Sequence, residues 1–594
     1  MPSKVREKFS IYQHWHCLSL VALLSTISIE PLQAQVINTT QPLKPQRAQT
    51  SPQTTPRREN QPPSNQQLPE LAPPSRLPPP EELLPPPTTT PPTPEQAPFE
   101  ETPQSIIVEK FEITGSSVFS REDFAKITAP YTKRPITLAE LYQVRTEISN
   151  LYVSKGYITS GAFIPPQKLQ GGIVQIQVVE GTLEDIKVSG TRRLNPGYVR
   201  SRLALATGKP LNRDRLLEAL QLLQLNPLIE NLSAELSAGS RPGVSLLEIR
   251  VTEADTFNLQ IALDNGRSPA VGSFRRQIQL SEANLLGWGD SVIAAYTNTD
   301  GSNTFDFSYS VPFNPRNGTV SFSFGFSDSD VIERPFSVLD IQSNSRYYEL
   351  TLRQPIIQSP TQEFALGLSA TRRESEASLL NGEIPFAAFG ADEEGKTQVT
   401  ALRFFQDWTS RNSQQVFALR SQFSFGLDAF DSNSFFAWRG QAQWVRLLAR
   451  DTLLLLRADV QFADRAVVPF EQFGLGGLES VRGYRQDALL TDNGIFASAE
   501  VRIPIVRFSE RNNFLQVTPF FDVGTGWNRS GRETSPSSEL DSNTLVSVGL
   551  GLRLQLENIL TARLDWGIPI ISIPGDKDTW QENGLYFSII FNAF

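Results

Sequence analysis

The chain has 594 residues, 39 % of them hydrophobic, enough for more than one architectural unit and incompatible with wholesale disorder. Its formal net charge of −9 and pI near 5.2 argue against a general nucleic-acid binder. His14, His16 and Cys17 are its only histidines and cysteine, and all three lie in a leader-like start; once that start is removed, histidine or thiolate catalysis, disulfides and His/Cys metal sites are excluded.

The leader reads as a basic region (Lys4, Arg6, Lys8), an apolar stretch from Leu18 to Ile29 and a small-residue ending at Ala34. This pattern predicts a signal peptide over 1–34; a retained anchor is the alternative, but the apolar run is short for the ~20 residues a bilayer needs. Residues 35–104 hold nearly half of the 43 prolines, with runs at Pro78–Pro80 and Pro85–Pro87. They predict a disordered, partly polyproline-II linker, or alternatively a Pro-rich ligand for a partner. No later stretch approaches ~18 consecutive apolar residues, so any membrane crossing has to use strands.

Order then begins twice. Ile113-Thr114-Gly115 recurs as Val188-Ser189-Gly190, and Pro135-Ile136-Thr137 as Pro210-Leu211-Asn212, each pair 75 positions apart (188 − 113 and 210 − 135). Two copies of one small α/β domain are expected, over 105–181 and 182–254, each in the order βααββ. In the first, Thr137 and Glu140 form a capping box for a helix with apolar face Leu138, Leu141, Ile148 and Leu151, ending near Gly156. In the second, Asn212 caps a helix carrying Leu216, Leu217, Leu220 and Leu223, and Asn226-Pro227 stops it. The closing strands, Ile173–Val179 and Leu246–Val251, are each followed by an acidic residue, Glu180 and Glu253.

From Phe257 the helical period gives way to alternation. Phe305, Phe307, Tyr309, Val311 and Phe313 interleave with Asp306, Ser308 and Ser310; Asn314–Gly318 makes a turn, and Val320, Phe322, Phe324 and Phe326 resume the pattern. A second pair runs through Tyr348, Leu350 and Leu352, a turn around Pro355–Pro360, and Phe364, Leu366 and Leu368. The last strand carries Leu585, Phe587, Ile589 and Phe591 and ends on Phe594. A soluble β-sandwich alternates in the same way; the leader, the lack of cysteine and the aromatic C-terminal strand favour a transmembrane β-barrel over 255–594, of roughly 16 antiparallel strands at ~10 residues each.

Three segments resemble the translocators of two-partner secretion, the ShlB/FhaC/HecB-like hemolysin secretion/activation family within the outer-membrane-protein-85 superfamily. The repeats resemble POTRA domains, and Leu151-Tyr152, Gly156-Tyr157, Pro165, Gln167 and Gly172 resemble that family's signature in the first of them. Asn284 to Asp290 resembles a turn between early barrel strands. Gly474, Gly476 and Gly477 followed by Val481-Arg482-Gly483-Tyr484 resemble the motif at the tip of a loop that folds into the lumen, here near 471–490. Phe520, Asp522 and Gly524 resemble the wall motif that faces it, and Phe594 the barrel-assembly signal. In a polar lumen an arginine gains from a bidentate carboxylate, which makes Asp522 the expected partner of Arg482; an ordinary exposed loop arginine is the alternative.

The resemblance implies an outer-membrane protein with periplasmic POTRA domains that bind a secreted partner protein, unfolded in the periplasm, and export it. Outer-membrane lipids and the barrel-assembly machinery are the other implied partners. No catalytic residue, metal or cofactor is implied, and no GxxxxGK[ST] phosphate loop is present. Some members carry a plugging helix at the start; the Pro-rich segment shows none. The rival readings are an insertase for other outer-membrane proteins, a passive porin, and a barrel-borne lipase or protease.

Overall fold

The computed structural model describes residues 105–168, 171–380, 382–386, 388–428, 433–509, 513–529, 543–573 and 577–593, together with Leu71, Leu83 and Leu84. The expected signal peptide, most of the linker and Phe594 lie outside the described residues.

The first domain is built from β1 (Lys110–Thr114), α1 (Arg121–Thr128), α2 (Leu138–Ser154), β2 (Gly161–Phe163) and β3 (Ile173–Val179). Both helices open on complete capping boxes, Ser120 with Asp123 and Thr137 with Glu140, which satisfy N–H groups left free at a helix start. The central strand β3 runs parallel to β1 and antiparallel to β2. The buried face of α2 is Leu141, Val144, Ile148 and Tyr152. Leu138, expected on that face, is exposed, because side chains lean toward the helix N-terminus and a first-turn residue overshoots the core; Leu151 is half-buried.

The second domain repeats the plan with β4 (Thr182–Ser189), α3 (Pro196–Ala204), α4 (Arg213–Gln224), β5 (Ile229–Ala238) and β6 (Val244–Glu253). Here β6 is central, parallel to β4 and antiparallel to β5. Asn212 caps α4, which buries Leu216, Leu220 and Leu223. The repeat extends to single atoms. Gly115 and Gly190 share φ near +89° and +85°, and a Cβ on either would stand 2.3 Å from a carbonyl oxygen, of Val178 and Val251 respectively. Glu180 accepts the amides of Ser117 and Val118, and Glu253 those of Arg192, Arg193 and Leu194. The acidic residue at the end of each closing strand therefore ties down the turn after the first strand. Leu83, from the segment read as a core-free linker, is buried in the second domain's core with Leu84 packed beside it. Burial of one such side chain is worth ~1.5–3 kcal/mol.

The remaining sixteen long strands among the described residues are β7 (Phe257–Asp264), β8 (Arg275–Ala283), β9 (Ser291–Asn298), β10 (Ser302–Pro312), β11 (Thr319–Asp330), β12 (Gln342–Gln358), β13 (Gln362–Leu379) and β14 (Lys396–Arg411). They continue with β15 (Gln415–Leu427), β16 (Phe435–Ala449), β17 (Thr452–Ala463), β18 (Asn493–Ser509), β19 (Asn513–Trp527), β20 (Thr544–Leu556), β21 (Leu560–Pro569) and β22 (Leu585–Asn592). Each pairs antiparallel with its neighbours, and β22 returns to β7 across Ser588–Asn592 and Gln260–Asp264, closing a barrel. The turn at Asn314–Gly318 forms as read: Asn317 has φ +57° and the Asn314 Oδ1 accepts the Gly318 amide. The second turn is tighter than expected. β12 runs through Pro355, where the register shifts, and reverses only at Ser359–Thr361. A bulge removes the ladder bond that proline cannot donate.

The barrel is inside out relative to a soluble protein. On β12, Tyr348, Leu350 and Leu352 are 46 %, 53 % and 45 % exposed while Glu349 between them is 4 % exposed; on β14, Leu402 and Phe404 face outward and Arg403 is buried. A sandwich would bury the apolar set. Only a hydrocarbon surround makes this arrangement favourable.

Candidate functional site

Residues 464–492, between β17 and β18, fold into the barrel. The segment forms a short hairpin, Phe473–Leu475 with Leu489–Thr491, whose far end turns through Gly476 and Gly477 at φ +102° and +98°. Phe473, Leu475, Val481, Tyr484 and Leu489 pack with Phe496 of β18 and Leu545 of β20, a small apolar core inside the barrel, and Val467, Val468 and Phe470 form a second with Val399 and Phe435. At the base of the hairpin Glu471 receives Arg403 of β14 at 2.6 Å and Arg373 of β13 at 3.3 Å.

Arg482 sits at the tip and is fully buried. Its Nε and Nη2 donate to the two carboxylate oxygens of Asp522 at 2.7 and 2.9 Å, a bidentate fork, and its own amide reaches the same carboxylate at 3.2 Å. Nη1 donates to Glu500 at 2.7 Å and to Asp565 at 3.3 Å. The guanidinium lies 3.4 Å from the centroid of the Phe520 ring. Strand alternation explains the Phe520, Asp522, Gly524 spacing. All three face the lumen, whereas Phe521 between them is 44 % exposed on the lipid side. Gly524 leaves the room that Val481 and Leu475 fill; a Cβ there would meet them at 3.0 and 2.7 Å. Two further arginines complete the cluster, Arg502 on Glu500 at 2.8 Å and Arg563 on Asp565 at 2.5 Å, so three carboxylates face three guanidinium groups.

The residues after Arg482 extend the attachment. Gly483, at φ +99°, lies against Gly567 of β21, where a Cβ would stand 2.5 Å from the Gly483 nitrogen. Its amide donates to the Tyr586 hydroxyl at 3.0 Å, and that hydroxyl donates to the Tyr484 carbonyl. The Tyr484 hydroxyl contacts the carbonyls of Val546 and Ile571 at 2.8 and 2.7 Å. Arg485 forms a bidentate pair with Glu333 at 2.7 and 2.8 Å, on the segment between β11 and β12. Sequence reasoning did not single out Glu500, Asp565, Arg563, Tyr586 or Arg485. For the four on strands the one signal is a charged or polar residue at a lumen-facing position of an alternating strand; Arg485, on the loop, had none.

The signature residues of the first domain serve two places. Gly156, at φ +85°, ends α2 and touches the second domain, its carbonyl accepting the Arg213 amide at 2.8 Å. Tyr157 packs edge-on against Phe119 and Tyr152. The Gln167 carboxamide both donates to and accepts from the Gln175 backbone at 2.8 Å, with a weaker contact to the Pro165 carbonyl, and so covers the uncovered part of the β3 edge. Ser149 likewise takes the Ala162 amide of β2. Tyr142, Val153 and Phe163 remain exposed on α2 and β2. In the second domain β5, ten residues long, has a strand partner on one side only among the described residues.

The turn Asn284–Asp290 joins this domain to the barrel: Asp290, fully buried, accepts the Leu286 amide and the Tyr309 hydroxyl, and the Gly287 carbonyl accepts the Asn195 amide. Arg193 adds an ion pair with Glu282 at 2.8 Å.

The profile of the haemolysin secretion/activation protein family ShlB/FhaC/HecB matches residues 243–554, and that of the ShlB-type POTRA domain matches residues 106–181. The heme/hemopexin transporter protein HuxB of Haemophilus influenzae strain 86-028NP is 23 % identical over 474 residues, covering 75 % of this chain and 81 % of that one. The outer membrane transporter CdiB of Dickeya dadantii is 24 % identical over 397 residues, 64 % of this chain and 69 % of the relative. Among solved structures, CdiB from Escherichia coli superposes with TM-score 0.62 at 21 % identity, covering 84 % of this chain and 92 % of its own, a likeness of fold.

Proposed function

The chain belongs to the haemolysin secretion/activation family ShlB/FhaC/HecB, and from that premise we propose how its lumenal loop and POTRA domains move a protein across the outer membrane by two-partner secretion. It acts in the outer membrane with its POTRA domains in the periplasm, and a secreted protein is its partner. Members of the family are transporters, and no step of the reading needs a catalytic group, cofactor or nucleotide.

The partner is held unfolded in the periplasm. Its apolar side chains engage Tyr142, Val153 and Phe163 of the first POTRA domain, where Ser149 and Gln167 already occupy main-chain positions at the sheet edges. Main-chain pairing falls to β5 of the second domain, whose outer edge is long enough for β-augmentation. The chain then enters a lumen lined by ionised side chains, and folding outside biases the motion outward. Arg482 and its wall carboxylates hold the loop in the transport-competent position. The surrounding divisions belong to the same proposal: a signal peptide over 1–34, a linker over 35–104, POTRA domains over 105–181 and 182–254 and the barrel over 255–594. Phe594 serves as the signal read by the barrel-assembly machinery, and membrane lipids cover the outer wall.

The observation that supports this reading is the combination of an inside-out barrel with a β5 edge that pairs with no other strand among the described residues. Deleting the gene and comparing culture supernatant with purified outer membranes tests it. The expected result is loss of one secreted protein, or a small set, with the other outer-membrane proteins at normal levels. A broad fall in outer-membrane proteins would instead identify an insertase.

A further inference from the structure

A second feature lies outside the lumen. Where α3 and α4 of the second POTRA domain meet the Asn314–Gly318 turn and the end of β12 there is a cavity of about 410 Å³, within the range of ~300–1,000 Å³ typical of small-ligand sites. Arg202, Arg215 and Arg316 line it against a single acid, Glu218. Arg202 is already oriented: it stacks 3.3 Å above the Tyr198 ring, its Nε donates to the Asn317 side chain at 2.7 Å and its Nη1 to the Tyr198 carbonyl at 3.1 Å. Its Nη2 is buried and has no hydrogen-bond partner. No carboxylate forms an ion pair with Arg202, Arg215 or Arg316 among the described residues. A buried guanidinium nitrogen without an acceptor is costly, so the site is short of an anion.

The apolar part of the lining points to what carries that anion. Leu205 and Ile356 are 54 % and 58 % exposed on the cavity wall, and next to them Ile357 and Phe313, 55 % and 51 % exposed, continue onto the lipid-facing side of the barrel. A free phosphate would use the arginines and leave this apolar surface in water. We propose that the cavity binds the headgroup of an anionic phospholipid from the inner leaflet of the outer membrane. The phosphate accepts from the Arg202 Nη2 and from Arg215 and Arg316, and the acyl chains lie along Ile356, Ile357 and Phe313. The lipid thereby bridges the POTRA domain and a barrel turn. This goes beyond the export reading and does not depend on it.

Native mass spectrometry of the full chain, delipidated in detergent, tests the site with phosphatidylglycerol, phosphatidylcholine and inorganic phosphate in separate titrations. One phosphatidylglycerol should be retained about tenfold more tightly than phosphatidylcholine, and the Arg202→Gln/Arg316→Gln double variant should lose about tenfold in that affinity. Arg121→Gln, on the first domain, should leave it unchanged. Heat-modifiable migration on gels reports whether the barrel of each variant is folded. Should the double variant fail to fold, Arg215→Gln, whose guanidinium bonds nothing among the described residues, replaces it and should lower retention about threefold. Equal retention of the two lipids, unchanged retention in the folded variant, or displacement of the lipid by equimolar inorganic phosphate would each overturn the proposal.

Discussion

Arg482 leaves none of its guanidinium nitrogens without an acceptor, and its three carboxylate partners stand on three different strands, β18, β19 and β21. Removing one member of such a buried set leaves uncompensated charge, at a cost of ~3–5 kcal/mol. Arg482→Ala is therefore expected to abolish appearance of the partner in the culture supernatant while heat-modifiable migration shows the barrel still folded. Arg482→Lys should fail to restore export, because an ammonium cannot form the fork on Asp522.

The two domain carboxylates give a separate test. Burial alone would raise the pKa of Glu180, but bonds from the Ser117 hydroxyl and amide, and from Tyr152, outweigh it and hold the group below the usual carboxylate range. A depressed folded value means stabilisation present above the unfolded value of ~4.3 and lost as pH falls through the folded one. Glu180→Gln should thus speed hydrogen exchange at the Ser117 and Val118 amides at neutral pH, and the difference from the parent should vanish in acid. Motif and alternation together made Arg482, Asp522 and the positions of Phe520 and Gly524 legible. Glu500, Asp565 and Glu333 were not, since nothing local distinguishes a lumenal carboxylate with a partner from one facing water.

Among elements, the loop between β17 and β18 depends on backbone reaching backbone. Gly483 and Gly567 approach so closely that a side chain on Gly567 would displace the tip. Gly567→Val is expected to free the loop from β21 and raise single-channel conductance in planar bilayers, without unfolding the barrel; unchanged conductance would mean the loop seats elsewhere. The helix starts were legible because capping boxes are local chemistry, and the 75-residue repeat because its glycines and its closing carboxylates do the same task twice. The Leu138 face and the Pro355 turn were misread for a shared reason. Period and proline locate an element, whereas the end of a face or a bulge is decided by what packs across from it. Leu83 shows the same limit, since its proline-rich neighbourhood hides a residue that belongs to a folded core.

At the scale of the molecule, the outward apolar wall should tolerate hydrocarbon and little else. Leu350→Arg on β12 is expected to cost ~2–4 kcal/mol of barrel stability if it lies near the midplane, read as a lower folded fraction in liposomes across a urea series. Alternation in the sequence established that one face of each strand is apolar; that this face points outward was expected from the leader and the aromatic C-terminal strand and is seen in the closed sheet. That closure rests on five residue pairs between β7 and β22, and beside them the Phe587 amide donates to the Asn265 side chain across 322 positions. Every other seam joins strands adjacent in the chain. Bringing ends that distant together from an open coil would cost ~5 kcal/mol in closure entropy, more than a few rungs return at once. The cylinder is therefore best completed as a zipper is, each hairpin shortening the gap for the next. The join between its first and last staves then becomes the slowest event of its assembly and the place where an unfinished barrel remains adhesive to other strands.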